Sequence, residues 1–203
     1  MSGKNIPEGE KTQVIFELRI KKAIVRLSRK EENVYIPIQK HTDKVIKILK
    51  PEKPSVGDAV ITNLRNYPVG IKTADCVPIA LVGEKWIGVI HAGWRGLRKG
   101  IIEKTVRLLN KEGEKTLTAV VLPSAKSCCY EVGEEFENYG FRSLEKRRGK
   151  LYLDTQREAL LRLKESGIIS VIVWEKCTVC SSELPSYRRD KTRDRIITSV
   201  ILL

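Results

Sequence analysis

Residues 73–96 read TADCVPIALVGEKWIGVIHAGWRG: two apolar runs broken at Gly83-Glu84-Lys85, with Cys76 at the entrance and His91 at the exit. VPIALV and WIGVI have the lengths and flanks of two strands. Gly83-Glu84 suits a two-residue type II′ turn in which the glycine takes the positive φ. Val82 then faces Lys85, and the antiparallel ladder runs down to set Cys76 directly opposite His91. A four-residue loop over 82–85 keeps that register, whereas a three-residue loop sends the two side chains to opposite faces. Directly opposed residues hold their Cβ atoms about 4.5–5.5 Å apart, close enough for a shared metal ion or a thiol–imidazole hydrogen bond. Pro78, Ala80, Val82, Ile87 and Val89 share the Cys76 face; Val77, Ile79, Leu81, Trp86 and Ile90 share the other. Both faces are apolar, so the hairpin belongs at the centre of the fold with its Cys–His end at the rim of a covered sheet. The competing reading is a core cysteine beside a hydrogen-bonded histidine.

Beyond His91 the chain runs Ala92-Gly93-Trp94-Arg95-Gly96 and enters a helix containing Ile101. Strand, glycine-rich turn and helix start together make an anion site over Gly93, Arg95 and Gly96, where the guanidinium of Arg95 can grip phosphate through two hydrogen bonds. The only other imidazole is His41, at the end of a predicted strand in IQKHTDKVIKI. A catalytic zinc takes three protein ligands and leaves one position open, so His41, Cys76 and His91 form a candidate trio.

The remaining chain predicts a mixed α/β sandwich, β-heavy at the start and α/β at the end. TQVIFELRI, KAIVRL, NVYIPIQ, KVIKIL, DAVITN and VGIKT read as strands, as do TLTAVVL, IISVIVW and RIITSVILL. Residues 98–110 and 155–166 have helical spacing, the second helix ending at Gly167. The 203 residues fit one domain, 1–203, without repeat or linker, and 41% hydrophobic content is enough for a core. No apolar run reaches bilayer length and the opening MSGKNIPEGEKTQ lacks a signal-peptide centre, which places the protein in the cytoplasm and off membranes. The net charge of +13 attracts anions, but the cations are spread among acids, which weighs against nucleic acid as the partner. Abundant Lys, Arg and Glu with a single Met resembles a thermophile's surface. The densest cluster, Lys146 to Lys150, reads as a solvated loop. Five cysteines without a secretory signal argue against a disulfide framework; Cys128-Cys129 are poorly placed to bridge each other, and the lone CxxC of Cys177 and Cys180 reads as buried thiols at a strand end rather than a zinc site.

TADCVPI, HAGWRG, CCYEVG, CT at 177 and SYRRD at 186–190 occur in this order in the YfiH-like family, labelled laccase-domain or polyphenol oxidase in older usage and described as zinc-dependent purine nucleoside phosphorylases; the chain resembles that family from about residue 36 onward. The resemblance implies a mixed-sheet β-sandwich flanked by helices, similar to a toxin-deamidase fold. Its metal ligands map onto His41 (after Gln39), Cys76 and His91, holding zinc with copper as the alternative. It further implies phosphorolysis of adenosine, inosine and S-methyl-5′-thioadenosine to free base and ribose 1-phosphate, deamination of adenosine, and a monomer or homodimer. Arg95 and Arg188 are candidates for positioning phosphate, and Asp75 for a proton shuttle or an orienting group. Three departures bear on substrate contacts: residues 1–35 lack the family's longer glycine-rich N-terminal segment, Leu122-Pro123-Ser124-Ala125-Lys126 replaces a Gly-Pro-x-Ile-Gly run, and Asp194-Arg195 replaces a Gly-Arg. Two other functions compete. One is a cysteine hydrolase or deamidase with a Cys76–His91 dyad; the other is a non-catalytic basic binding module on the same scaffold.

Overall fold

The computed structural model describes residues 12–203; residues 1–11 of the N-terminal segment discussed above lie outside it. The chain builds two sheets face to face and a helical layer outside one of them. The first sheet has six strands, β3 (Val45–Ile48), β4 (Ala59–Thr62), β6 (Val77–Val82), β7 (Ile87–Ala92), β8 (Thr118–Val121) and β12 (Ser170–Val173), in the order β12-β8-β6-β7-β4-β3. The second has four, β1 (Gln13–Ile20), β2 (Ala23–Lys30), β5 (Val69–Thr73) and β13 (Ile196–Leu202), in the order β1-β2-β13-β5. Helices α2 (Ile101–Lys111) and α3 (Thr155–Glu165) cover the outer face of the first sheet.

The alternation of side chains along a strand decides this layering. Ala80, Val82, Ile87 and Val89 pack into the core between the sheets with Val25, Ile71 and Val200. Val77, Ile79, Leu81, Trp86 and Ile90 pack instead beneath α2 and α3 with Ile102, Leu109 and Ala159. The β6–β7 hairpin is therefore covered on both faces, and all twelve residues of its two strands are buried. Asp154 caps α3 by accepting a hydrogen bond from the Arg157 amide at 2.8 Å, and Gly167 at φ 86° terminates it.

The hairpin register differs from the one its turn predicts. Val82 pairs with Ile87 and Pro78 with His91, so Gly83 to Trp86 form the loop, and Cys76 falls across from Gly93 rather than His91. The cause is Glu114, a residue 3% exposed beyond the end of α2, whose carboxylate accepts hydrogen bonds from the amides of Glu84 (2.8 Å), Lys85 (2.6 Å) and Trp86 (2.7 Å). Gly83 serves this contact instead of a positive φ: a Cβ there would collide with the Glu114 carboxylate. Because the slip is two residues, the faces are unchanged. Cys76 remains on the His91 side, diagonal to it.

Two further expectations change. NVYIPIQ makes only isolated bridges, Tyr35 to Val69 and Ile38 to Val56; Asn33 sits at φ 58° and Pro37 has no amide to give a ladder. The glycine-rich turn is itself helical, Trp94–Arg98 forming α1, and the helix expected from residue 98 starts only at Ile101 as α2, because Gly100 at φ 77° breaks the run. Lys146 to Lys150 is exposed, as expected of a solvated cluster, and turns a hairpin between β10 (Leu144–Arg147) and β11 (Lys150–Leu153), with Arg148 and Gly149 at positive φ. Strand β9 (Glu131–Val132) completes that small sheet.

Candidate functional site

At one end of the sandwich, β5 leaves the second sheet and β6 enters the first. The crossing is made at Ala74-Asp75-Cys76, where Asp75 takes φ 84°. Its carboxylate holds this turn in place, accepting from the Thr178 hydroxyl at 2.6 Å and from the Arg188 amide at 2.7 Å. The same turn delivers Cys76 to the rim where His91 ends β7.

His41 arrives from a loop, not from a strand end, and has φ 56°. One buried residue shapes that loop. The Asp58 carboxylate accepts from the amides of Lys40 (3.2 Å), His41 (3.0 Å) and Thr42 (2.6 Å) and from the Thr42 hydroxyl (2.7 Å). It also meets His91 Nδ1 at 2.7 Å, while its backbone oxygen accepts from the His91 amide at 2.7 Å. Asp58 thus fixes both histidines at once. Asp58 lies just before β4 and extends the β4–β7 ladder by one position, opposite His91.

The ligand atoms of His41, Cys76 and His91 lie within 4.8 Å of one another, and Cys76 Sγ is 3.9 Å from His41 Nε2. The Asp58 bond takes His91 Nδ1 and leaves Nε2 as the donor, the arrangement in which a carboxylate orients a metal-binding imidazole. Gly93 lies beneath the trio: a Cβ there would come within 3.0 Å of both Cys76 Sγ and His41 Cδ2. Two imidazoles and one thiol, held from behind and open in front, fit a single ion of borderline softness. A multicopper centre would have only these two histidines to draw on.

Electrostatics favours charge separation here. Burial opposes ionisation of the Cys76 thiol, but the charge of His91 and hydrogen bonding from both histidines outweigh it and bring it down to about 6. Burial likewise opposes the His91 imidazolium, yet the Cys76 charge and the Asp58 bond raise it to about 9. Asp58 is held well below the usual carboxylate range, despite its burial, by His91 and Thr42.

In front of the trio opens a cleft of about 860 Å³. Arg95, Lys72, Arg188, Lys191 and Arg195 give it a cationic wall; Trp94, Tyr130 and Tyr187 give it aromatic surface. The Arg188 guanidinium lies 4.8 Å from the Tyr130 ring centroid and donates to the Glu131 carbonyl at 2.7 Å. Burial and the nearby Cys76 charge push the Tyr130 phenol up to about 12, against the pull of Arg188, so it remains a hydrogen-bond donor. Thr73 lines the cleft with a buried hydroxyl that has no partner among the described residues. Of the predicted anion turn, Arg95 lines the cleft, stacked 4.2 Å over Trp94. Gly93 lies below it, and Gly96 is buried against the Thr42 carbonyl and Ile101. Sequence reasoning missed Asp58, Thr73, Tyr130 and Lys191. For Asp58 the available signal was its place immediately before a strand that pairs with the one carrying His91.

With this geometry in view, the comparisons are specific. The family model described as multi-copper polyphenol oxidoreductase laccase matches residues 10–203. The chain is 55% identical, over the full length of both, to a protein of Aquifex aeolicus named purine nucleoside phosphorylase. It belongs to the YfiH-like family. Its relatives include the purine nucleoside phosphorylase YfiH of Escherichia coli, 30% identical over 81% of this chain and 72% of that one. Among solved structures, YlmD of Geobacillus stearothermophilus superposes with a TM-score of 0.78 at 24% identity, over 84% of this chain and 74% of that chain. The Neisseria meningitidis protein NMB0706 gives 0.79 at 19%, over 95% and 99%. These likenesses show the YfiH-like fold. The names of the sequence relatives support an enzyme, and no helix of the described residues is long and apolar enough to cross a membrane.

Proposed function

We propose that this protein is a zinc-dependent purine nucleoside phosphorylase, with adenosine, inosine or S-methyl-5′-thioadenosine and phosphate as substrates and with adenosine deaminase activity. The observation that carries the reading is that the His41–Cys76–His91 trio opens into the same cleft as five cationic and three aromatic side chains. A purine stacks on aromatic faces, and phosphate needs fixed positive charge. When bound, zinc in this donor set would supply Lewis acidity, the property that brings water toward ionisation near neutral pH and so suits deamination. The protein's own groups do the rest. Asp58 keeps His91 in one tautomer and shapes the loop that presents His41. Arg95 and Arg188 hold phosphate against C1′ of the ribose; a phosphate oxygen bonds to C1′ as the C1′–N9 bond breaks and its electron pair leaves with the base. Asp75 is a positioning residue in this scheme, since both its oxygens are engaged in fixing Thr178 and Arg188.

The test is metal analysis of anaerobically purified protein, with adenosine or inosine incubated with and without phosphate. Phosphate-dependent release of adenine or hypoxanthine with ribose 1-phosphate, and formation of inosine from adenosine, are expected. Their absence from zinc-loaded protein overturns the reading. One observation favours a second reading: Asp58, His91 and a thiol held down to about 6 also have the composition of a nucleophile–base–carboxylate triad. Activity that persists after zinc is removed and disappears on alkylation of Cys76 would select the cysteine hydrolase.

A further inference from the structure

The four cysteines outside the candidate site come together. Cys128 and Cys129 lie in the turn before β9; Cys177 and Cys180 lie in the loop after β12, about fifty residues away in sequence. Their sulfurs all fall within 4.8 Å of one another, with Cys128 to Cys180 at 3.4 Å and Cys129 to Cys180 at 2.9 Å. We infer that these four thiols form a second metal site, a closed mononuclear zinc tetrathiolate that ties the 124–130 segment to the 174–181 loop.

The geometry favours one ion over a cluster. A tetrahedral centre with Zn–S bonds near 2.3 Å spaces its sulfurs by about 3.8 Å, wider than the two Cys180 contacts and within the 4.8 Å that holds all four sulfurs. An iron–sulfur cluster puts its thiolates on different irons and needs a wider opening. Arg189 holds the CxxC loop in shape, donating to the carbonyls of Thr178 (2.9 Å), Val179 (3.1 Å), Ser181 (2.7 Å) and Leu184 (2.9 Å). Ser124 bridges to Cys177, its amide donating to the Lys176 carbonyl at 3.2 Å and its carbonyl accepting from Thr178 at 3.1 Å. Cys128 and Cys180 are exposed, which gives an ion an entry path. Four protein ligands leave no position for substrate, so the role is structural: the site braces the loops that carry Tyr130 to the cleft and Thr178 to the Asp75 carboxylate.

This inference is independent of the function proposed above. Protein purified under reducing, anaerobic conditions is expected to hold two zinc ions per chain. The Cys177→Ser/Cys180→Ser variant should lose one of them, and His41→Ala the other. Because the double variant could fail to fold, the second measurement uses the unaltered sequence: reconstituted with cobalt(II), the protein should show an intense thiolate-to-cobalt charge-transfer band that His41→Ala leaves largely in place and Cys180→Ser diminishes. A zinc content untouched by the cysteine substitutions, a tightly bound iron in its place, or a disulfide between Cys129 and Cys180 in freshly isolated protein would each overturn the assignment. Loss of nucleoside turnover with both zinc ions still present would instead count against the proposed function alone.

Discussion

Two groups of metal-ligating side chains lie on either side of Tyr130, and they are built on opposite plans. The His41–Cys76–His91 trio is drawn from a loop, a turn and a strand end at the rim of the sandwich, has a buried carboxylate behind it and opens into a cleft. The Cys128–Cys129–Cys177–Cys180 group comes from two loops and contains its own complete donor set. Three mixed donors facing a cavity leave room for chemistry; four thiols facing one another leave none. The contrast is between a donor set that opens to a cleft and one that closes on itself.

The comparison predicts separable losses. The largest is expected for His91→Ala, which should abolish metal binding at the trio and nucleoside turnover, while the cysteine site keeps its ion; metal analysis beside an activity assay checks both. Asp58→Asn should weaken metal at the trio by roughly 10–100-fold, the usual effect of removing the group that orients an imidazole ligand, without changing the cobalt–thiolate band. Equal losses at both sites would erase the distinction.

The metal-free, reduced protein distinguishes the two groups by pH. Cys76, held near 6, should be alkylated at pH 7 about two- to fivefold faster than an ordinary thiol, its greater ionisation being partly offset by lower nucleophilicity, whereas Cys129, pushed up to about 11 chiefly by burial and by its bond to Cys180, should react slowly. Peptide mapping after timed iodoacetamide treatment reads both. The sign of the stability effect follows. Cys76 is depressed from 9.0, so its contribution is present above that value and disappears as pH falls through 6; His91 is raised from 6.5, so its contribution is present below 6.5 and is lost as pH rises through 9. Between pH 6.5 and 9 the two changes oppose each other, because folding there only moves a proton from the thiol to the imidazole; the pair should leave the urea resistance of metal-free protein flat across that range. The smallest effect is expected for Gly93→Ala, whose new methyl group crowds Cys76 and His41 and should weaken zinc at the trio by a few-fold. A competition titration with a chelator would detect it.

Much of the fold was legible because it is local. Both faces of the β6–β7 hairpin were read correctly from alternation, and α2 and α3 from helical spacing, since side-chain direction follows directly from backbone dihedrals. Proximity of Cys76 to His91 was read for a partly wrong reason. The expected turn gave a register two residues out, but an even slip preserves the face. What was missed depended on distant partners. Glu114 sets the loop from about thirty residues away, Asp58 joins a loop to a strand, and the CxxC motif lacked a second pair until the fold supplied adjacent cysteines that cannot readily bridge each other.

The sequence by itself determined which side chains face which layer, because the period of two along a strand needs no knowledge of its neighbours. It also determined, through its scarcity of histidine, which imidazoles any metal chemistry could use. Only the tertiary structure decided the pairing register, the carboxylate that aims His91 and the meeting of four thiols. Each of these rests on a buried polar group that must find its partner, and in the folded chain that partner lies far away in sequence.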